Sequence, residues 1–160
     1  MKRILFVTVL VALFATKVSA QFESGKWYGN ASLTNLGLSY SEKTDFALGL
    51  DLNVGHTVMD NWMVLVEAGT DYSNSEWNSL HLGAKIRHYF VENGLFMSAG
   101  VRWLHEYKNI NDMQITLEVG YCYFLGKNVV VEPVIYYDMS VQNFSDYSKI
   151  GFKLGIGIFF

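Results

Sequence analysis

Apolar and polar residues alternate along this chain with a period of two, segment after segment, and a period of two belongs to β-strands. The last fourteen residues, Tyr147 to Phe160, show it most clearly. Ile150, Phe152, Leu154, Ile156, Ile158 and Phe160 share one parity, and Lys149, Gly151, Lys153, Gly155, Gly157 and Phe159 share the other. A strand in water would turn its apolar face to a core. Three glycines and two lysines on the opposite face suit a narrow polar interior instead, with lipid outside.

The same division recurs in eight segments: Lys26 to Ser39, Asp45 to Val58, Trp62 to Tyr72, Asn78 to Val91, Leu95 to Tyr107, Asp112 to Leu125, Val129 to Ser140, and the closing stretch. The first is the least regular, and its change of parity predicts a bulge near Thr34-Asn35. Tight turns are expected at Met59-Asp60-Asn61, Glu92-Asn93-Gly94 and Gly126-Lys127-Asn128, starting about 33 residues apart. Polar loops are expected at Ser73 to Trp77, Lys108 to Asn111 and Val141 to Asp146. An even number of long strands joined only between neighbours reads as an all-β chain, an eight-stranded antiparallel up-and-down transmembrane β-barrel with both termini on one side.

The N-terminus reads as a secretory leader over residues 1–20: Met1-Lys2-Arg3, an apolar run from Ile4 to Ala15, and small residues at Val18-Ser19-Ala20. Residues 21–160 then form the barrel domain, with no stretch that reads as a linker. Removing Lys2, Arg3 and Lys17 leaves nine basic residues against 15 acidic ones, which argues against a nucleic-acid partner. One cysteine, Cys122, allows no internal disulfide and no cysteine-based metal framework. No stretch of residues 21–160 is long and apolar enough for a transmembrane helix, so a closed barrel is the remaining way to satisfy backbone groups in hydrocarbon.

Parity assigns twelve charged side chains to the lumen as structural groups: Asp51, Glu67, Asp71, Lys85, Arg87, Arg102, Glu106, Glu118, Glu132, Asp138, Lys149 and Lys153. Their near balance of sign favours cross-strand pairs that plug an eight-stranded lumen, which is only wide enough for side chains to fill it. The alternative is a narrow pore for ions or very small solutes, since carboxylate rings select cations. Aromatic residues gather at both strand ends in two belts that suit membrane interfaces. Trp62, Phe90, Tyr123 and Phe160 stand on the tight-turn side with Tyr89, Phe124 and Phe159, and Tyr72, Trp103 and Tyr107 stand on the loop side with Tyr40, Phe46, Trp77 and Tyr147. The four histidines, His56, His81, His88 and His105, show no grouping with Ser or Asp of a hydrolytic kind, and Cys122 reads as a small inward filler. No catalytic residue, cofactor or metal ligand is expected.

Gly25-Lys26-Trp27-Tyr28 at the first strand, Arg87-His88-Tyr89-Phe90 at a strand end, Leu95-Phe96 after a turn, and terminal Phe160 together resemble the small eight-stranded outer-membrane barrels of the OmpA/OmpX-like, porin-like superfamily. The resemblance implies location in the outer membrane of a Gram-negative bacterium, outer-membrane lipid as surroundings, and insertion by the barrel assembly machinery, which reads the final strand and its aromatic end. It implies a structural or surface-interaction role, with strand edges beyond the headgroups open to an unknown partner. Gly25-Lys26-Trp27-Tyr28 and Thr70-Asp71-Tyr72 also look like the motifs of secreted lipocalins. A lipocalin keeps its apolar face inside, however, and the charges assigned here to the interior would be prohibitive in such a cup.

Overall fold

A computed structural model of the chain describes residues 22–34, 47–73, 76–90, 94–106, 110–142 and 148–160. Its strand segments are β1 (Trp27–Thr34), β2 (Ala47–Met59), β3 (Trp62–Ser73), β4 (Glu76–Tyr89), β5 (Leu95–Glu106), β6 (Ile110–Tyr121), β7 (Tyr123–Phe124), β8 (Val129–Ser140) and β9 (Lys149–Phe159). Every pairing is antiparallel, β6 and β7 both pair with β8, and β1 pairs with β9 to close the ring. Because β6 and β7 are two parts of one stave, the result is a closed eight-stranded up-and-down barrel. Among the described residues, closure gives every stave a partner on both sides, which is what a sheet needs where water cannot satisfy its backbone.

The break between β6 and β7 departs from the single strand expected over Asp112 to Leu125, and its cause lies across the ladder. Gly120 pairs with Val134 and Tyr123 with Val131, so the interrupted register would set Tyr121 opposite Pro133. Proline has no N–H to give a ladder. On its other edge the strand keeps the β5 register, with the Cys122 N–H donating to the Gly94 carbonyl at 2.8 Å, and Gly94 holds that position with a φ of 73°. Tyr121, expected to face outward, is buried, as is Cys122 next to it.

Other boundaries shift as well. β3 continues to Ser73 and β4 begins at Glu76, with Ser73 paired to Glu76, so the loop expected over Ser73 to Trp77 is mostly strand. Extended pairing satisfies those backbone groups where a loop would leave them to water. The bulge expected near Thr34-Asn35, the rest of the first segment to Ser39, Tyr40, Phe46, Tyr107, Tyr147 and the leader over 1–20 all lie wholly or partly outside the described residues. The first tight turn uses Asp60 and Asn61, with Asn61 at φ 65°, a left-handed conformation that asparagine tolerates well.

The alternation sorts side chains by face. Outward residues are large and apolar yet widely exposed, with Val66 at 62%, Ile156 at 63% and Leu52 at 53%. Inward residues fall into two zones. Next to the tight turns, Tyr28, Met63, Leu65, Tyr89, Phe96, Cys122, Val130, Val134 and Phe159 form an apolar layer. Above it, toward the loops, the inward positions carry charges and amides. The segment before β1 completes the apolar layer: Phe22 enters the barrel end, stacks on Tyr89 at 3.8 Å between centroids, and meets Phe159 at 5.8 Å. Backbone bonds from Asn61 N–H to the Phe22 carbonyl at 2.9 Å and from Gly25 N–H to the Thr57 carbonyl at 2.7 Å hold it there.

Candidate functional site: the charged lumen

Each strand supplies the lumen with every second residue, and antiparallel register brings residues far apart in sequence to one height. Glu118 of β6 stands at the centre. It accepts from Lys85 Nζ of β4 at 2.7 Å and from Lys153 Nζ of β9 at 2.5 Å, with Arg87 Nη2 at 4.0 Å. Lys85 also donates to Glu67 of β3 at 2.5 Å, and Lys153 lies 3.6 Å from Asp51 of β2. Asp51 in turn bonds His81 Nε2 at 3.0 Å. Three cations and three carboxylates from five strands are thereby chained together, and burying charges is tolerable only with such pairing.

Two further groups flank this centre. Toward the tight turns, Arg87 reaches Glu132 at 3.0 and 3.2 Å, and Tyr28 donates its hydroxyl to the same carboxylate at 2.6 Å. The Arg87 guanidinium lies 3.9 Å from the Phe96 ring centroid, a cation–π contact at the boundary with the apolar layer. Toward the loops, Arg102 donates to Asp138 and to Gln114 Oε1 at 3.1 Å, and Lys149 meets Asp71 at 3.2 Å. The Ser140 hydroxyl donates to Asp112 at 3.0 Å. A cavity of about 10 Å³ remains among Asp51, Glu118, Arg102, Asp138, Lys149 and Lys153, the room of a single water.

Of the twelve charges assigned to the lumen by parity, Asp51, Glu67, Lys85, Arg87, Arg102, Glu118, Glu132, Asp138 and Lys153 are buried there, and Asp71 and Lys149 are half-buried near the loop end. Glu106 is only half-buried at the end of β5, where a strand end at the mouth meets solvent. In the aromatic belts, Trp62, Phe90, Tyr72, Trp103 and Phe160 are exposed outward and Tyr123 is half-buried. Tyr107 lies outside the described residues. Tyr89 and Phe159 belong to neither belt: both face inward and are buried, because their parity is that of Arg87 and Lys153.

Sequence reasoning left out Asp112 and His81 as members of the charged network, although each shares parity with assigned neighbours. It also left out the apolar layer, where Met63 and Leu65 share the parity of Glu67. Three of the histidines sit against tryptophans near the strand ends: His56 on Trp27 at 4.7 Å, His88 on Trp62 at 4.4 Å and His105 on Trp103 at 5.6 Å between ring centroids. Among the described residues, no group of three His, Cys, Asp or Glu side chains is arranged to hold a metal ion.

This geometry has close parallels among solved structures. The N-terminal β-barrel domain of Pseudomonas aeruginosa OprF superposes with a TM-score of 0.68 at 14% identity, over 86% of this chain and 98% of that domain. Neisserial surface protein A gives 0.60 at 10% identity over 83% and 95% of the two chains, and the outer membrane protein OprG from Pseudomonas aeruginosa gives 0.55 at 11% over 86% and 97%. The likeness is one of fold. No family model matches the chain, and no curated protein matches it in sequence.

Proposed function

We propose that this chain is an integral outer-membrane β-barrel whose lumen is sealed, and that it acts as a membrane-anchored structural or surface-interaction element and not as an enzyme. The observation that carries the reading is the inversion of polarity. The charged side chains are inside and paired, while leucines, valines and isoleucines cover the outside. In water that surface would be an aggregation site. In a bilayer it is the expected apolar band, and the exposed Trp62, Phe90, Trp103 and Tyr72 suit the flanking interfaces. The fold shared with OprF, NspA and OprG supports the outer membrane as that bilayer. A secretory leader over residues 1–20 and delivery by the barrel assembly machinery complete the proposal.

The sealed lumen has two barriers in series. The ion-pair network spans the barrel around Glu118 and leaves room for about one water, and the Phe22-capped aromatic layer closes the tight-turn end. A conducting path would have to breach both. The test is reconstitution of the full chain in a planar bilayer. A membrane-inserted protein whose mobility on a denaturing gel changes on boiling, with no steady current at low voltage, is the expected result. A steady conductance would replace the sealed barrel with a narrow pore, and a detergent-free soluble protein with unchanged mobility would end the membrane reading.

A further inference from the structure

The carboxylates inside the lumen are each held by a cation, except at the loop end. Glu132 pairs with Arg87, Asp138 with Arg102, Asp71 with Lys149, and Asp51, Glu67 and Glu118 with Lys85 or Lys153. Asp112 is as buried as these, at 3% exposure, yet its partner is neutral. The Ser140 hydroxyl donates to Asp112 Oδ1 at 3.0 Å, and Oδ2 has no hydrogen-bond partner among the described residues. Glu106, half-buried at the end of β5, likewise forms no ion pair among the described residues. A buried carboxylate without a counter-charge is costly to keep, so this end of the lumen is short of a cation.

Register brings the two unpaired carboxylates together. Leu104 pairs with Asp112 and Glu106 with Ile110, so Glu106 and Asp112 are diagonal neighbours on the inward face of β5 and β6, a separation that long side chains bridge. Gln114 pairs with Ser140, which sets the Ser140 hydroxyl on the β8 side of Asp112. Three adjacent staves therefore bring two carboxylates and a hydroxyl to one end of the barrel, and every donor atom among them is oxygen. The neighbouring imidazole takes no part, since His105 has the opposite parity to Glu106 and bonds Asn111 at 2.8 Å.

We propose that Glu106 and Asp112, with the Ser140 hydroxyl, form a site for one calcium ion at the loop-side mouth of the lumen. Two carboxylates match the charge of a divalent ion, and an all-oxygen set suits a hard one. Zinc would want nitrogen or sulfur ligands in a tetrahedron. Magnesium demands a near-ideal octahedron and gives up its waters reluctantly, which a carboxylate as buried as Asp112 does not allow. Calcium accepts irregular oxygen ligands and lets water complete its shell, and half-buried Glu106 gives the ion and its waters a way in from solvent. With only two protein carboxylates the affinity belongs at the weak end of calcium sites, a Kd of about 10⁻⁴ to 10⁻³ M. A bound ion would tie β5, β6 and β8 together at their loop ends, where no buried ion pair joins them to Asp112.

Isothermal titration calorimetry of the full folded chain tests this, in a zwitterionic detergent, after removal of divalent ions with a chelator and with calcium chloride as titrant. The wild type should bind one calcium ion per chain and magnesium at least tenfold more weakly. Asp112→Asn keeps the shape of the side chain and an acceptor for Ser140, and should lower calcium affinity at least tenfold, as ligand charge sets the affinity of such sites. Glu106→Gln should lower it as well. Glu23→Gln, an exposed position before β1 whose carboxylate lies 4.0 Å from Lys26, should bind calcium as the wild type does. Heat-modifiable gel mobility, unchanged in all four proteins, verifies that each is folded. No saturable binding by a correctly folded wild type at about 10 mM calcium, or equal affinity in Asp112→Asn, would overturn the site. Equal affinity for calcium and magnesium would reduce it to charge screening and overturn it too. Each of these results leaves the sealed membrane barrel standing, because the site depends on strand register and not on lipid.

Discussion

Replacing Asp138 by Ala should destabilise the barrel more than replacing Glu118 by Ala, although Glu118 has three cationic partners within 4.0 Å and Asp138 has one. Glu118 lies between Lys85 at 2.7 Å, Lys153 at 2.5 Å and Arg87 at 4.0 Å. Each of these cations keeps another carboxylate when Glu118 is lost: Glu67 at 2.5 Å for Lys85, Asp51 at 3.6 Å for Lys153 and Glu132 at 3.0 Å for Arg87. Asp138 is the carboxylate that Arg102 contacts directly, and the other acceptor on that guanidinium is the neutral Gln114 at 3.1 and 3.2 Å. Breaking a buried ion pair costs about 3–5 kcal/mol because a charge is left uncompensated. Shared cations place Glu118→Ala near the bottom of that range, about 3 kcal/mol, and a guanidinium left with only a neutral acceptor in direct contact places Asp138→Ala near the top, about 5 kcal/mol. Urea-driven unfolding in phospholipid vesicles, followed by tryptophan fluorescence, measures both. If Glu118→Ala costs as much as Asp138→Ala, stability follows the number of pairs and the reasoning from residual partners is wrong. If both cost under about 1 kcal/mol, the lumen is wet enough to screen its charges as a surface does.

Phe22→Ala alone should give no steady current in a planar bilayer, and Arg102→Ala alone should give none, because each leaves the other barrier standing; the double variant should conduct. A steady current from Phe22→Ala by itself would show that the charged network is no barrier. Val66→Arg, on the outward face, should lower unfolding free energy in vesicles by about 2–4 kcal/mol, the cost of a cation on the lipid face near the bilayer midplane; an unchanged value would mean that this face does not meet lipid. Cys122, fully buried in the apolar layer, should resist maleimide labelling in the folded protein and react within minutes in urea. Rapid labelling of the folded form would mean that the tight-turn end is open.

Much of the barrel was legible from the sequence because a strand's two faces are written in alternate residues. The alternation from Ile150 to Phe160 marks out β9, and eleven of the twelve charges assigned to the lumen are buried or half-buried. What parity could not carry was height. Met63 and Tyr89 stand on the same face as Glu67 and Arg87, and only the stagger of the closed sheet shows that they gather at one end and form a separate apolar layer. Nor does alternation foresee a break imposed from a neighbouring strand, as Pro133 imposes one on Tyr121 and Cys122. Phe22 lies outside any strand, so no periodicity points to its place inside the barrel end. Ion-pair partners depend on register, and Glu118 with Lys153 joins residues 35 apart along the chain that no local pattern connects.

The last contact of the ring is made between Trp27 and Phe160, which exchange backbone hydrogen bonds of 2.8 and 2.9 Å. These two residues stand at opposite ends of the barrel sequence, so the seam is the pairing with the greatest separation along the chain. Loop-closure entropy must be met before that pairing returns anything, and topologies dominated by distant contacts fold slowly. Until β9 arrives, β1 and whichever strand was made last each present a bare edge, and every partial barrel is a template for aggregation. The fold is therefore complete only when its final strand is in place. Deleting even the last few residues should leave a chain that accumulates unassembled, and β1 is the edge that such a chain would keep exposed.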